Sequence, residues 1–166
     1  VDAIKSEARV DASDRIFIRP LRVRHEAFEY ALPIERAADG ARAMLTAIDR
    51  HRPAIAFPCE MRVAPSDQAW LHPQYGRRTA WIGGAVHAPG IEVEDCWGEA
   101  ERECIALGGR PHWGKWHTLR AGQLAGLYPN WENFQSVRSR LDPDGLFGSP
   151  AIDRLLGTTR DLPILP

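Results

Sequence analysis

Cysteine is scarce in this sequence and shows no pairing pattern. Cys59, Cys96 and Cys104 are odd in number and irregular in spacing, which excludes a disulfide framework. No Cys-x-x-Cys pair occurs, which removes the usual structural zinc signature. Free thiols in a reducing compartment are expected, and with them a cytoplasmic location. Long hydrophobic runs are missing too: none approaches the roughly 20 residues that span a bilayer. No signal peptide is visible, and peripheral attachment to a membrane is left open. A net charge of −1 carries neither the basic excess of a nucleic-acid binder nor an acidic tail. The histidines form neither His-x-His nor His-Glu-x-x-His, so no metal site is expected. A Gly-x-Ser-x-Gly elbow, a phosphate loop and a Gly-x-Gly-x-x-Gly fingerprint are all absent.

What is present is a globular composition, 44% hydrophobic and 26% charged, over 166 residues. That length fits one domain with a sizeable core. The chain opens on VDAIKSEARVDASDR without an initiator Met. Residues 1–14 read as a lead-in cut from a longer chain, and 15–166 as one domain. Arg15 to Pro33 alternates imperfectly and predicts one or two strands broken at Pro20. Ile34, Ala37, Ala38, Ala41, Met44, Leu45 and Ile48 recur at helical spacing. Ala54 to Val63 predicts a strand with Ile55, Phe57, Cys59, Met61 and Val63 on a core face. Thr79 to Ala88 is an apolar strand with two central glycines. Val93, Trp97, Ala100 and Cys104 stripe a second helix, which Gly108 and Gly109 stop. Two short helices follow, Ala121 to Tyr128 and Asn130 to Leu141, and LDPDGLF closes the second. The fold class is α+β: a mostly antiparallel sheet with helices packed on one face.

Two constellations carry chemical potential. Glu60 and Arg62 are two apart on one strand, so they share a face. An exposed edge-strand ion pair would explain them, at about 0–1 kcal/mol. Against that stand their neighbours Ala54, Ala56 and Pro58, small residues where a solvated face would carry polar ones. A face covered by a ligand explains small residues around one acid and one base. The second constellation is GGRPHWGKWH, Gly108 to His117, with six tryptophans in the whole chain and two of them here. Core filling by His112 and Trp113, with Lys115 reaching outward, is one account. The other is a wall against a flat polar ligand, with Gly114 allowing close approach beside Lys115.

PHWGK with LYPNWENFQSVRSRLDPDGLF after it resembles the C-terminal part of FAD-dependent sugar-oxidising enzymes. These are the aldonolactone oxidases, D-arabinono-1,4-lactone oxidases among them, and alditol oxidases of the vanillyl-alcohol-oxidase type. PCEMRVAPSDQAWLHPQYGRRTAWIG is similar to their Glu-x-Arg strand and the loop after it, and RVRHEAFEYALP to the strand before their first cap helix. The resemblance runs from about Arg15 to Leu156. It implies a substrate (cap) domain whose FAD-binding half lies outside this sequence, and a CH–OH group oxidised by hydride transfer to flavin. It implies catalytic roles for Glu60, Arg62 and Lys115, and places His112 and Lys115 beside the cofactor. The partners implied are a sugar lactone or polyol and the FAD-binding domain of the same protein, with no nucleic acid and no membrane span. Ala85 stands where alditol oxidases carry a hydroxyl side chain, which favours a lactone. A related flavin dehydrogenase using an acceptor other than oxygen, and a non-catalytic module that kept the cap fold, are the alternatives.

Overall fold

Alternation of large apolar residues in HEAFEYALP builds β1 (His25–Pro33), one of the two inner strands of the sheet. Phe28, Tyr30 and Leu32 take one side and Ala27, Glu29 and Ala31 the other, and all of them but the half-buried Ala27 are buried. The structure, a computed structural model, describes residues 10–16, 23–87 and 91–158. Residues 1–9, Pro20 and Ala88 of the expectations above therefore lie outside the described residues. Within them, Ser13–Ile16 is a short helix, α1, so the expected strand does not begin at Arg15.

A 3-10 turn, Ile34–Arg36, leads from β1 into α2 (Ala37–His51). Gly40, Met44 and Ala47 are its buried positions, while Leu45 is 54% exposed and Ala38 is exposed. The contact stripe of α2 is thus narrower than its apolar residues imply. Strand β2 (Ile55–Ala64) and β3 (Thr79–His87) follow, then α3 (Ile91–Ala106) and the two-residue β4 (Arg110–Pro111). The sheet order is β2-β3-β1-β4, and all neighbours are antiparallel. Helices α4 (Ala121–Ala125), α5 (Trp131–Leu141) and α6 (Pro150–Leu156) are the last elements among the described residues.

Helices α2 and α3 cover one face of the sheet. Phe28, Tyr30, Leu32, Ile82 and Val86 meet Met44, Ala47, Val93, Trp97, Ala100 and Cys104 there. Phe28 stacks on Trp97 and on Tyr30 at ring-centroid distances of 5.0 Å. The end of α3 is a Schellman cap: Gly109 N–H donates to Cys104 O and Gly108 N–H to Ile105 O, with Gly108 at φ +76. A second cluster, Leu119, Leu124, Tyr128 and Trp131, gathers α4 and α5 beyond β4.

β2 corrects the sequence reading. It is an edge strand, and Met61 and Val63 are 57% and 58% exposed, not core. Its register against β3 slips between Ile55 and Phe57 and again between Phe57 and Glu60. Phe57 then lies opposite Ala85 and has moved to the face of Glu60, leaving Cys59 against Gly84 on the helix-covered side. Each extra residue reverses which way the following side chains point.

Candidate active site

The face of the sheet away from α2 and α3 is lined by small residues around a few charged ones. Across the strands run two rows: Glu60, Gly83 and Glu29, then Arg62, Trp81 and Ala31. Arg110 continues the second row on β4, and His112 extends the ladder by donating its N–H to Glu29 O at 3.0 Å. Between His112 and Trp116 the chain leaves the ladder. Lys115 N–H turns back to His112 O at 3.1 Å, and Trp116 N–H rejoins β1 at Ala27 O, 2.8 Å. This excursion presents Lys115, exposed and without a side-chain partner among the described residues.

Glu60 and Lys115 line one cavity of about 370 Å³ with His25, Glu29, Phe57 and Ala85. Arg62 and His112 line a second, of about 900 Å³, with Trp81, Trp113, Leu71 and Leu155. Arg62 joins the two, because its Nη2 donates to the Glu29 carboxylate. Its approach to Glu60 is longer, Nε to Oε1 at 3.8 Å, between side chains 56% and 61% exposed. The Glu60–Arg62 pair is therefore a loose contact, and the firm partner is Glu29, a residue absent from the sequence reading. Bonding to Glu29, first of all, raises the Arg62 guanidinium further above its ordinary value.

His112 stands edge-on to Trp81 at 5.9 Å. Its Nδ1 accepts from Gly114 N–H at 3.0 Å, which leaves the proton of the neutral ring on Nε2. A Cβ on Gly114 would make only ordinary contact with that ring, at 3.5 and 3.7 Å, so close packing within this chain does not require the glycine. Trp113 is not a free wall: its Nε1–H donates to Leu71 O at 2.8 Å and its ring stacks on Tyr128.

The loop from Pro65 to Arg78 forms the far side of the larger cavity and is clamped by two arginines. Arg110, 7% exposed, donates to the carbonyls of Pro73, Tyr75 and Leu127 and lies over the Tyr128 ring. Arg77 donates to Gly108 O and Ala31 O. Burial pulls both guanidiniums below their ordinary value, Arg77 to about 10. Helix α6, not foreseen, supplies Ile152, Leu155 and Leu156 to the same cavity. Its signal is Ser149-Pro150, an N-cap whose hydroxyl accepts from Ile152 N–H, then a proline at the first turn.

The segment after Lys115 is pinned from below. Glu101, 3% exposed, accepts from Tyr30 OH at 2.6 Å, from Thr118 N–H at 3.0 Å and from the Thr118 hydroxyl. Beside it His117 is 6% exposed with both ring nitrogens unpartnered among the described residues, and Arg154 donates to its carbonyl. Burial first, then the charge of Arg154, lowers the His117 pKa below its ordinary 6.5. An unfolded chain then binds this proton more readily than the folded one, so stability falls as pH drops through about 6.5 toward the lower folded value. Urea midpoints measured across that range are expected to fall, and His117→Phe to flatten the fall. An unchanged slope in the variant refutes the assignment.

Among the described residues no helix is long and apolar enough to cross a membrane, and no three His, Cys, Asp or Glu side chains cluster to hold a metal. The model of the D-arabinono-1,4-lactone oxidase family matches residues 1–155. L-gulono-1,4-lactone dehydrogenase of Mycobacterium tuberculosis (strain ATCC 25618 / H37Rv) is 36% identical over 148 residues, 89% of this chain and 34% of that protein. L-gulonolactone oxidase of Scyliorhinus torazame is 32% identical over 84% of this chain and 32% of its own length. Alditol oxidase of Streptomyces sp. is 34% identical over 77% of this chain and 31% of its own. The chain thus spans about a third of the length of these curated relatives.

Proposed function

The chain belongs to the D-arabinono-1,4-lactone oxidase family, and from that premise we propose that it is the substrate-holding part of a longer FAD-dependent oxidoreductase acting on a CH–OH group of a sugar lactone. The observation that carries this reading is the convergence of Glu60, Glu29, Ala85 and Lys115 on one cavity, joined through Arg62 to an aromatic-walled second one. A sugar offers many hydroxyls, each both donor and acceptor. Glu60 accepts from them and Arg62 donates to them. Ala85, 6% exposed and opposite Phe57, leaves an apolar spot where an open-chain polyol would need a hydroxyl partner. That favours a lactone over an alditol.

Trp81 and His112 beside Arg62, with Trp113 anchored next to them by Leu71 and Tyr128, fit a flat ring system with one polar edge. When bound, the flavin supplies the hydride acceptor. Lys115 puts a positive charge at the mouth of the smaller cavity, where charge developing during the reaction is stabilised best if water is excluded. His112, with Nδ1 occupied by Gly114, offers only an Nε2–H donor.

Full-length protein is expected to be yellow, and an aldonolactone added without oxygen is expected to bleach it. A colourless full-length protein, or one that no aldonolactone or polyol bleaches, defeats the reading and leaves a binding module. Oxygen uptake against dye reduction then separates oxidase from dehydrogenase. Val1–Pro166 alone is expected to give no saturable fluorescence change on titration with FAD. Tight binding with turnover on a sugar would sink the assignment of the cofactor to another part of the protein.

A further inference from the structure

We propose that Glu29 is a positioning residue, which holds Arg62 over the open face of the sheet across the gap left by Gly83. The inference rests on the reading above, in which Arg62 contacts the substrate. Glu29 lies on β1 and Arg62 on β2, with β3 between them. Strands are about 4.7–4.9 Å apart, so the two backbones are separated by roughly 10 Å. The side chains close that distance diagonally, over Gly83, which pairs with Glu29 on one side and Glu60 on the other. A Cβ on Gly83 would lie 3.2 Å from Cβ and Cγ of Glu29 and 2.8 Å from Phe28 O. Only a bare backbone leaves the carboxylate where Arg62 meets it.

The burial of the two partners is unequal, and that decides which one is fixed. The Glu29 side chain is 5% exposed and the Arg62 side chain 56%. A carboxylate taken out of water requires a charged or hydrogen-bonded partner. A half-exposed arginine does not, and without Glu29 it would sample many rotamers. Glu60, more than half exposed and 3.8 Å from Nε, cannot restrain it to the same degree. With one N–H given to Glu29, the guanidinium keeps its others for a ligand. Glu60 is likewise left to accept from a hydroxyl instead of neutralising Arg62. The buried carboxylate thereby divides the labour between the two exposed charges.

The test uses the full-length enzyme and steady-state kinetics on an aldonolactone. Glu29→Leu keeps the volume and removes the acceptor, and it is expected to raise KM about tenfold, with a smaller change in kcat. Glu29→Gln keeps an acceptor for Arg62 and is expected to recover most of that loss. In an Arg62→Ala background Glu29→Leu is expected to add less than about twofold, because the interaction it removes is already gone. A KM within twofold of wild type for Glu29→Leu overturns the proposal. So does Glu29→Gln performing no better than Glu29→Leu, or Glu29→Leu acting at full strength in the Arg62→Ala background. Should Glu29→Leu not accumulate as folded protein, Glu29→Asp draws the carboxylate back by one methylene and carries the same KM and coupling criteria. If wild-type protein oxidises no aldonolactone or polyol, the functional reading fails separately. Crystal structures of wild type and Glu29→Leu then decide: Arg62 is expected to leave its place beside residue 29, and an unmoved guanidinium overturns the positioning role.

Discussion

Lys115→Met in the full-length protein is expected, on the function proposed above, to slow anaerobic flavin reduction at saturating substrate by about 10²–10³, or roughly 2.7–4 kcal/mol. Methionine keeps the length of the side chain and removes its charge. Lys115 is exposed, borders the cavity of Glu60 and Ala85, and has no side-chain partner among the described residues. Its backbone is held on both sides, by His112 O and by the Trp116–Ala27 hydrogen bond. The charge is therefore delivered by a fixed excursion of the chain and is not spent on an internal ion pair. Interactions that strengthen toward the transition state appear in kcat more than in KM. A lysine serving only solubility predicts the reverse, a stability change within about 0.5 kcal/mol and normal turnover. Flavin content of both proteins must be equal before the rates are compared. A reduction rate within twofold of wild type refutes the role of Lys115.

Much of the architecture is legible in the chain, and the failures have physical causes. α3 was readable because a helix repeats its buried stripe strictly: Val93, Trp97, Ala100 and Cys104 are all buried. β1 is readable because Phe28, Tyr30 and Leu32 repeat at every second position and supply the apolar face turned to the helices. The two slips of β2 are not legible in its sequence, because alternation carries no mark of a register slip. One hint was there, since Pro58 inside a strand points to an edge or a bulge. Glu29 was also within reach. Ala27, Glu29 and Ala31 repeat the pattern that singled out Glu60, an acid among small residues on the side away from the core. The clamp made by Arg110 was not within reach, because its three carbonyl partners lie on loops whose proximity is a product of the fold.

Trp97→Ala is the substitution expected to cost most in stability, about 3–5 kcal/mol. Trp97 is 0% exposed, stacks on Phe28 at 5.0 Å and reaches the sheet at Gly84. It joins α3 to the strands whose opposite face carries Glu29 and Ala85. Marginal stability of about 5–15 kcal/mol makes that loss a large fraction of the whole. Its Nε1 has no partner among the described residues, so Trp97→Phe removes an unpaired buried donor along with some packing and is expected to cost much less. Urea unfolding measures both. Thiol labelling gives an independent readout: burial pushes the Cys96 and Cys104 thiols up to about 11 and 12 and raises that of Cys59 as well, but only Cys59 is exposed to the reagent. In native wild type Cys59 is expected to react first and the other two slowly. In Trp97→Ala the cavity opened between α3 and the sheet is expected to bring Cys96 and Cys104 into reaction as well. A midpoint shift equal to that of Trp97→Phe, with unchanged labelling, would mean that the layer of α2 and α3 is not what holds the sheet, and with it the row Glu60–Gly83–Glu29, in place.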